Sequence, residues 1–244
     1  VYPAMEKRLS ETYTKRSLAG LSKSTYDSYV KAFRWASDRI PQNEGGIVAF
    51  ISNGAWLDGI GQDGMRRCIE EEFTSVYVLN LRGNQRTSGE LSRKEGGKIF
   101  GSGSRTPIAI TFLVKNPAKK GQKAVIHYHD IGDYLTREQK LKLVKDFRSI
   151  SLQKLEWQII TPNDKADWIN QRDGVFDNLI PLFDKKGVGI FNHNGPAVAT
   201  GRDVWVNNFS NSQLDDNINC LINNYNAQCR EFQTIKSQEK ALSV

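Results

Sequence analysis

Residues 75–115 decide how this chain folds: SVYVLNLRGNQRTSGELSRKEGGKIFGSGSRTPIAITFLVK. The stretch begins and ends with short apolar runs, 75–81 and 107–115, that are typical of buried strands. The 25 residues between them, 82–106, contain six glycines, six basic side chains and two acids. A connection of this length inside a compact domain is uncommon unless it has a function.

The elements before this stretch indicate an α/β fold. GIVAFIS at 46–52 is almost continuously apolar, which is typical of a strand buried on both faces in a parallel sheet. Apolar residues at helical spacing predict helices over 24–40 and 63–73, and the alternation of helices and strands indicates α/β architecture. If strands 46–52 and 75–81 are parallel, residues 82–106 lie over the sheet edge where such folds bind ligands.

Further elements follow the strand at 107–115. Residues 124–130 alternate like a half-exposed strand, and 157–162 predict another strand. A helix is predicted over 136–147, and a longer one over 213–236. The predicted inward side chains of the first helix are Leu141, Val144 and Phe147. Those of the second are Leu214, Ile218, Leu221, Ile222, Tyr225 and Phe232.

Composition and charge limit the class of protein. The net charge of +7 and the pI of about 9.2 favour a polyanionic partner, nucleic acid first. Three cysteines without close spacing argue against a disulfide framework or a zinc site, so we expect a cytoplasmic protein without a metal. No apolar run approaches the length of a membrane span, and no membrane partner is expected. Because the sequence lacks an initiator methionine, we expect a fragment of a longer chain.

Residues 82–106, which we call the basic connection, have two interpretations. Its glycines would let the backbone approach a ligand closely, and its cations make phosphate the expected ligand. Alternatively it is a solvated loop without a function. In both cases we expect residues 82–106 to be poorly ordered in the absence of DNA.

Other motifs are weaker. GKIFGSGS lacks the order of a phosphate-binding P-loop, which argues against nucleotide hydrolysis in this chain. His127 and His129 could ligate a metal, but half-buried strand histidines are the expected interpretation. Asp58 and Asp63 could form an acid/base pair, although turn and helix-cap roles explain both.

The segment from residue 187 is rich in Asn and Gly and carries His193, Asn194, Arg202, Asp203 and Trp205. Asn and Arg can read adenine and guanine edges through paired hydrogen bonds. Asn-rich loops without such a role are common, and Arg202 with Asp203 could equally form a structural ion pair.

Six stretches, taken in order, resemble the type ISP restriction-modification enzymes: YDSYVKAFRWASDRI, GIVAFISNGAWLDG, LRGNQRTSGELSRKEGGKIFGSGSRTPIAITFLVKNP, YHDIGDYLTREQKL, WQIITPNDKADWINQRDGVFDNLIPL and VATGRDVWVNNFS. They are similar to the part of these single-chain enzymes that is a gamma-class N6-adenine DNA methyltransferase. The resemblance implies a cofactor, S-adenosylmethionine, held by a Gly-rich turn, and a target adenine held by an Asn-Pro-Pro-Tyr motif. Neither motif occurs in this sequence, so we expect no catalytic residue and no bound cofactor in this chain.

The resemblance also implies a fold and a set of sites. Strands 46–52, 75–81 and 107–115 would be the fifth to seventh strands of a partial Rossmann-like methyltransferase sheet, the last antiparallel between the other two, followed by an α+β segment. The expected target-pocket wall is Ser52, Asn53 and Gly54. The expected DNA-binding residues are Arg82, Asn84, Arg86, Arg93, Lys94, Lys98, Arg105 and Arg202. The expected domains are a connecting arm (1–22), the second half of the methyltransferase domain (23–118), a connecting α+β segment (119–186) and the start of the target-recognition domain (187–244).

The function implied is DNA and target-base contact during S-adenosylmethionine-dependent adenine methylation, with double-stranded DNA and the remainder of the parent chain as partners. The alternative is a non-enzymatic DNA-binding or interaction module of a large helicase-like protein. A meander of the three strands would favour that alternative, whereas the mixed arrangement favours the methyltransferase.

Overall fold

The computed structural model describes residues 2–19, 23–41, 43–101, 103–119, 121–150, 155–175, 178–183, 189–191, 193 and 201–242. The chain divides into two compact units, Val1–Asp173 and Gly174–Val244. Among the described residues, no helix is both long and apolar enough to cross a bilayer.

The first unit is built on a five-stranded sheet. Its strands are β1 (Gly46–Asn53), β2 (Ser75–Asn80), β3 (Ile108–Lys115), β4 (Val125–Asp130) and β5 (Gln158–Ile160), in the spatial order β1-β3-β2-β4-β5. β3 pairs antiparallel with both β1 and β2, so β1 and β2 run parallel with β3 between them, as predicted. β4 pairs parallel with β2, and β5 pairs antiparallel with β4. The predicted α/β fold class is confirmed.

The helices of the first unit are α1 (Pro3–Leu9), α2 (Ser28–Ser37), α3 (Asp63–Glu72), α4 (Gly89–Glu95) and α5 (Arg137–Phe147). Those of the second unit are α6 (Asp203–Val206) and α7 (Asn211–Leu242). The pairing of β4 with β2 joins residues after 118 to the same sheet as those before it, so the predicted boundary at 118/119 does not separate compact units.

The segment expected to be a connecting arm, 1–22, is largely helical in its described part and packs against the core. α1 continues through one π-helical turn, Ser10–Thr14, and Leu9 and Tyr13 are completely buried in the main core. The buried guanidinium of Arg34 lies 5.4 Å from the Tyr13 ring and donates two 2.7 Å hydrogen bonds to Glu72. Two apolar residues four positions apart make too short a pattern to be recognised among charged neighbours, yet they place one helix face in the core.

The two faces of the sheet are covered differently. One packs against α2, α3 and the buried indole rings of Trp56 and Trp168. The other meets α5, which contributes Leu143, Val144 and Phe147. Leu141, predicted to face inward, is 40% exposed, whereas Lys140 is completely buried. The buried face of α5 is therefore formed by residues 140, 143, 144 and 147, which have helical spacing. The sequence pattern did not reveal this face because its first residue is a lysine.

In the second unit, α7 confirms the predicted long helix and extends it at both ends. Its apolar face is covered only in part. Leu214, Ile218 and Leu221 are half-buried, but Ile222, Tyr225 and Phe232 are 50%, 67% and 64% exposed.

Candidate nucleic-acid interface

A cavity of about 400 Å³ opens at the carboxyl ends of β1, β2 and β4. We call it the edge cavity. Its walls come from the turn after β1, the ends of β2 and β4, α4 and the segment near Asn170. Because β1 and β2 are parallel, their ends meet at one edge, which is where open α/β sheets bind ligands.

One of the three residues predicted as the target-pocket wall lines the edge cavity. Gly54 lies in its wall, and its N–H donates to Pro107 O at 2.9 Å. Ser52 Oγ donates to the Asn53 carbonyl, and Asn53 Oδ1 accepts from Ala55 N–H at 3.0 Å. The side chains of Ser52 and Asn53 thus shape the turn after β1.

Three predicted DNA-binding residues, Arg82, Asn84 and Lys94, also line the edge cavity. Arg82 has a left-handed backbone conformation, with φ of 55°, and its N–H donates to Asn80 Oδ1 at 3.0 Å. Its guanidinium donates to Asp130 Oδ1 at 2.7 Å and also pairs with Asp133. Arg82 is therefore held by one carboxylate at the end of β4 and one in the β4–α5 connection.

The sequence analysis missed several polar residues of this wall, three of which are hydrogen-bonded to one another. Tyr128 Oη donates to Asp130 Oδ2 at 3.0 Å and accepts from Asn80 Nδ2 at 2.9 Å. Burial raises the pKa of Tyr128, so the phenol remains a neutral donor at ordinary pH. Asn80 lies 48 and 50 positions from Tyr128 and Asp130 in the sequence, and the common signal of the three residues is that each lies near the end of a strand.

The basic connection is anchored to the sheet, contrary to the expectation that it is poorly ordered. It contains α4, and Ile99 is buried in the second core cluster. Gly97 N–H donates to Leu135 O at 2.8 Å, and Tyr134 N–H donates to Lys94 O at 3.0 Å. Three of its cations pair with acidic side chains of α4 and of the β4–α5 connection.

Four other predicted cations of residues 82–106 are not among the residues that line the edge cavity. Arg86, Arg93 and Arg105 are exposed, and Lys98 is half-buried. Arg93 pairs with Glu90 at 3.3 Å while 77% of its side chain remains exposed. Arg105 Nη2 donates to the Gln85 carbonyl at 2.9 Å. The exposed guanidinium groups can meet a phosphate backbone without breaking the fold.

Asp58 and Asp63 do not share a site. Asp58 lines the edge cavity and accepts from Asn170 Nδ2 at 3.1 Å. Asp63 is the first residue of α3 and not its N-cap. It is buried, and it accepts from Ser17 Oγ at 2.5 Å and Leu18 N–H at 2.6 Å.

The two strand histidines make packing contacts. The His127 ring stacks on Tyr77 with 4.4 Å between centroids, and His129 Nδ1 lies 2.9 Å from the Glu156 carbonyl. Both rings are half-buried, as predicted for strand histidines. Within the described ranges, no group of three or more potential ligands could hold a metal ion.

In the second unit, Arg202 is exposed and immediately precedes α6, and its carbonyl accepts from Trp205 N–H at 2.8 Å. His193 is exposed, and Asn194 lies outside the described residues.

Comparison with known proteins identifies relatives. A family model described as the Type ISP C-terminal specificity domain matches residues 189–244. The structure resembles that of a nuclease-deletion mutant of the Type ISP restriction-modification enzyme LlaGI in complex with a DNA substrate mimic, with 46% identity and a TM-score of 0.78. It also resembles the ATP-dependent Type ISP restriction-modification enzyme LlaBIII bound to DNA, with 39% identity and a TM-score of 0.81. A DrdV–DNA complex matches with 32% identity and a TM-score of 0.76.

Each of these matches covers 93% of this chain but only 18%, 15% and 22% of the respective relative. The chain therefore spans less than a quarter of the length of these proteins. No curated protein matches the chain.

Proposed function

Because the chain belongs to the Type ISP restriction-modification enzymes, we propose that it supplies DNA contacts and part of the target-base pocket for adenine N6 methylation in a longer enzyme. S-adenosylmethionine would provide the methyl group. The cofactor-binding turn and the Asn-Pro-Pro-Tyr motif would come from outside residues 1–244, so the chain alone would be inactive.

The observation that carries this proposal is the arrangement of strands around the edge cavity. Parallel β1 and β2 with antiparallel β3 between them is the arrangement expected for the second half of a methyltransferase sheet, and it differs from a meander. The basic connection begins at the end of β2 and supplies residues of α4 to the cavity wall. Cations and an open cavity thus meet at the edge where ligands of α/β sheets bind.

The edge cavity suits an extruded base. Its volume of about 400 Å³ is in the range of small-ligand sites, and its lining combines apolar Leu57 and Leu91 with polar Asn84 and Asp58. Enzymes that modify a base in duplex DNA rotate it out of the stack into such a pocket, and they clamp the flanking phosphates. In this assignment Arg86, Arg93 and Lys94 provide phosphate contacts, and Gly54 lies in the pocket wall.

The turn after β1 is filled by protein atoms. Arg66 of α3 is completely buried against this turn and donates to Trp56 O at 2.7 Å and to Gly59 O at 2.8 Å. A Cβ on Gly59 would lie 2.7 Å from the Ala55 carbonyl, which shows how tightly this turn is packed. This packing supports the assignment of S-adenosylmethionine binding to another part of the longer enzyme.

A salt titration of duplex DNA binding by the 244-residue chain tests the proposal. Each phosphate contact contributes about −0.9 to the slope of log K against log salt. If Arg86, Arg93 and Lys94 each contact a phosphate, replacing all three with Ala should flatten the slope by roughly two to three units. Lys7, Lys145 and Arg230 are exposed cations outside the connection, and replacing them with Ala makes a charge-matched control. Equal flattening in both triple variants would contradict the proposal.

The alternative, a protein-interaction module within a helicase-like protein, predicts no salt-dependent binding of DNA. The exposed apolar side chains of Ile222, Tyr225 and Phe232 on α7 favour a contact between this helix and another protein segment. If the chain self-associates or binds a protein partner but does not bind DNA at low salt, this alternative is supported.

A further inference from the structure

Lys140 occupies an unusual position for a lysine. It is completely buried in α5, and its Nζ donates to Glu95 O at 2.7 Å and to Gly97 O at 2.8 Å. Both acceptors lie at the carboxyl end of α4, where backbone carbonyls lack helical partners and a cation is favourable. Lysines are rarely buried in this way without a specific partner, and the partner here is the backbone of the basic connection.

The backbone around these two carbonyls is tightly packed. A Cβ on Gly97 would lie 2.4 Å from the Arg137 amide nitrogen, and one on Gly96 would lie 2.2 Å from the Leu135 carbonyl. Gly96 also has a φ of 66°. These two glycines therefore let the connection lie directly against the start of α5. By contrast, a Cβ on Gly101 would meet nothing within 4 Å.

We infer that Lys140 is a positioning residue for DNA binding: it fixes the carboxyl end of α4 so that the cations of the basic connection are arranged before DNA arrives. This inference rests on the proposed function. Ordering a basic loop during binding reduces affinity, because conformational entropy is lost at that moment. An anchored loop has already lost that entropy during folding.

A direct contact between Lys140 and DNA is excluded by the geometry of the anchored state. Its side chain is inaccessible, and it donates to two carbonyls. Another anchoring contact supports the same arrangement: Tyr134 Oη donates to Glu90 Oε1 at 2.6 Å, at the opposite end of α4. The helix is thus held at both ends by α5 and the turn that precedes it.

Two variants disturb this anchor by different routes. Lys140→Met removes the donor but keeps an apolar side chain of similar length, and Gly97→Ala introduces the clash with Arg137 without changing any charge. The matched controls are Lys142→Met, an exposed lysine on the same helix, and Gly101→Ala in open space. Each variant is measured by amide hydrogen exchange and by DNA affinity over a series of salt concentrations.

We expect Lys140→Met and Gly97→Ala to accelerate exchange in residues 83–99 by about tenfold or more, while exchange in β1–β3 stays unchanged. DNA affinity should fall about tenfold in both variants at fixed salt, and in neither control. The slope of log K against log salt should change by less than about half a unit, because no exposed cation is removed.

Three outcomes would overturn the inference: unchanged exchange in residues 83–99, full DNA affinity of both variants, or a slope that falls by about one unit in Lys140→Met alone. The last result would make Lys140 a phosphate contact. If the unaltered chain shows no salt-dependent DNA binding, the proposed function fails, and the exchange data still decide whether Lys140 anchors α4.

Discussion

Arg82 Nε donates a 2.7 Å hydrogen bond to Asp130 Oδ1, which joins the end of β2 to the end of β4. The two strands are parallel neighbours, so the ion pair closes one side of the edge cavity. The sequence analysis assigned Arg82 to DNA, but the guanidinium is already paired with Asp130 and Asp133. Whether it also touches a phosphate remains a prediction.

A double-mutant cycle on this pair should reveal a strong coupling. The side chains of Arg82 and Asp130 are only 21% and 26% exposed, so solvent screens their interaction weakly. We expect Arg82→Ala and Asp130→Ala to be non-additive by about 1–3 kcal/mol in the free energy of unfolding, measured in urea. The exposed pair Arg93 and Glu90 is the control, and its coupling should stay below about 0.5 kcal/mol. Similar couplings for the two pairs would contradict the structural role assigned to Arg82.

Stability should depend on pH through Lys140. Burial lowers the pKa of its ammonium group from 10.5 to about 8, and Glu95 opposes the shift. In the unfolded chain the group keeps its ordinary pKa, so between pH 8 and 10.5 the unfolded state binds more protons. The contribution of Lys140 to the free energy of unfolding should therefore rise as pH increases through this window, by at most about 3 kcal/mol.

Urea denaturation of the wild type and of Lys140→Met, from pH 7 to 10, measures this effect. Above pH 8, the free energy of unfolding of the wild type should increase relative to that of Lys140→Met. Lys142→Met should follow the wild type at every pH, since Lys142 is exposed. Parallel curves for wild type and Lys140→Met would show that the buried group does not titrate in this window.

The three thiols should differ in reactivity. Cys68 is 2% exposed, and burial raises its pKa to about 11, so little thiolate forms at pH 8. Cys220 is exposed and Cys229 is half-buried. A thiol reagent at pH 8 should therefore label Cys220 and Cys229 in the native chain, and Cys68 only after denaturation. The Cys68→Ser variant should label in the native state with the same amplitude as the wild type, and a smaller amplitude would place Cys68 at the surface.

Apolar patterns predicted the sheet because they act locally. GIVAFIS and PIAITFLVK are continuous runs, and they became β1 and β3 with the predicted directions. The burial expected for GIVAFIS was wrong: β1 lies at the end of the strand order and pairs antiparallel with β3, and Ile47 and Ile51 are 67% and 62% exposed. The same argument predicted the location of the edge cavity, because residues that follow the parallel strands β1 and β2 lie at the same edge of the sheet. Gly54, Arg82, Asn84 and Lys94 could be placed there for this reason.

Local apolar patterns do not reveal hydrogen-bond partners that are far apart in the sequence. Lys140 lies 45 and 43 positions from the two carbonyls that it binds, and nothing near it in the sequence marks it as buried. α4 has seven residues, too few to show an apolar period, and its helix is stabilised by tertiary contacts. The same holds for Tyr128 and Asp130, whose hydrogen bonds to Asn80 exist only once β2 and β4 are paired.

Arg202 and the basic connection should affect the longer enzyme differently. A phosphate contact weakens binding to all sequences about equally, whereas loss of a base contact costs about 1–3 kcal/mol and relaxes preference at one position. We therefore expect Arg93→Ala to reduce methylation of every site in a DNA library uniformly. Arg202→Ala should instead broaden the recognised sequence at a single position, as measured by sequencing the methylated products.

The structural alternative for Arg202 makes a separate prediction. If its role is an ion pair with Asp203, then Arg202→Ala and Asp203→Ala should lower the thermal stability of the enzyme alike and leave its sequence preference unchanged. If Arg202 reads a base, Asp203→Ala should keep the preference of the wild type, and Arg202→Lys should relax it, because an ammonium group cannot form the planar pair of hydrogen bonds that a guanidinium gives to guanine. If Arg202→Ala and Arg202→Lys both reduce methylation of all sites equally, without loss of stability, Arg202 is a phosphate contact.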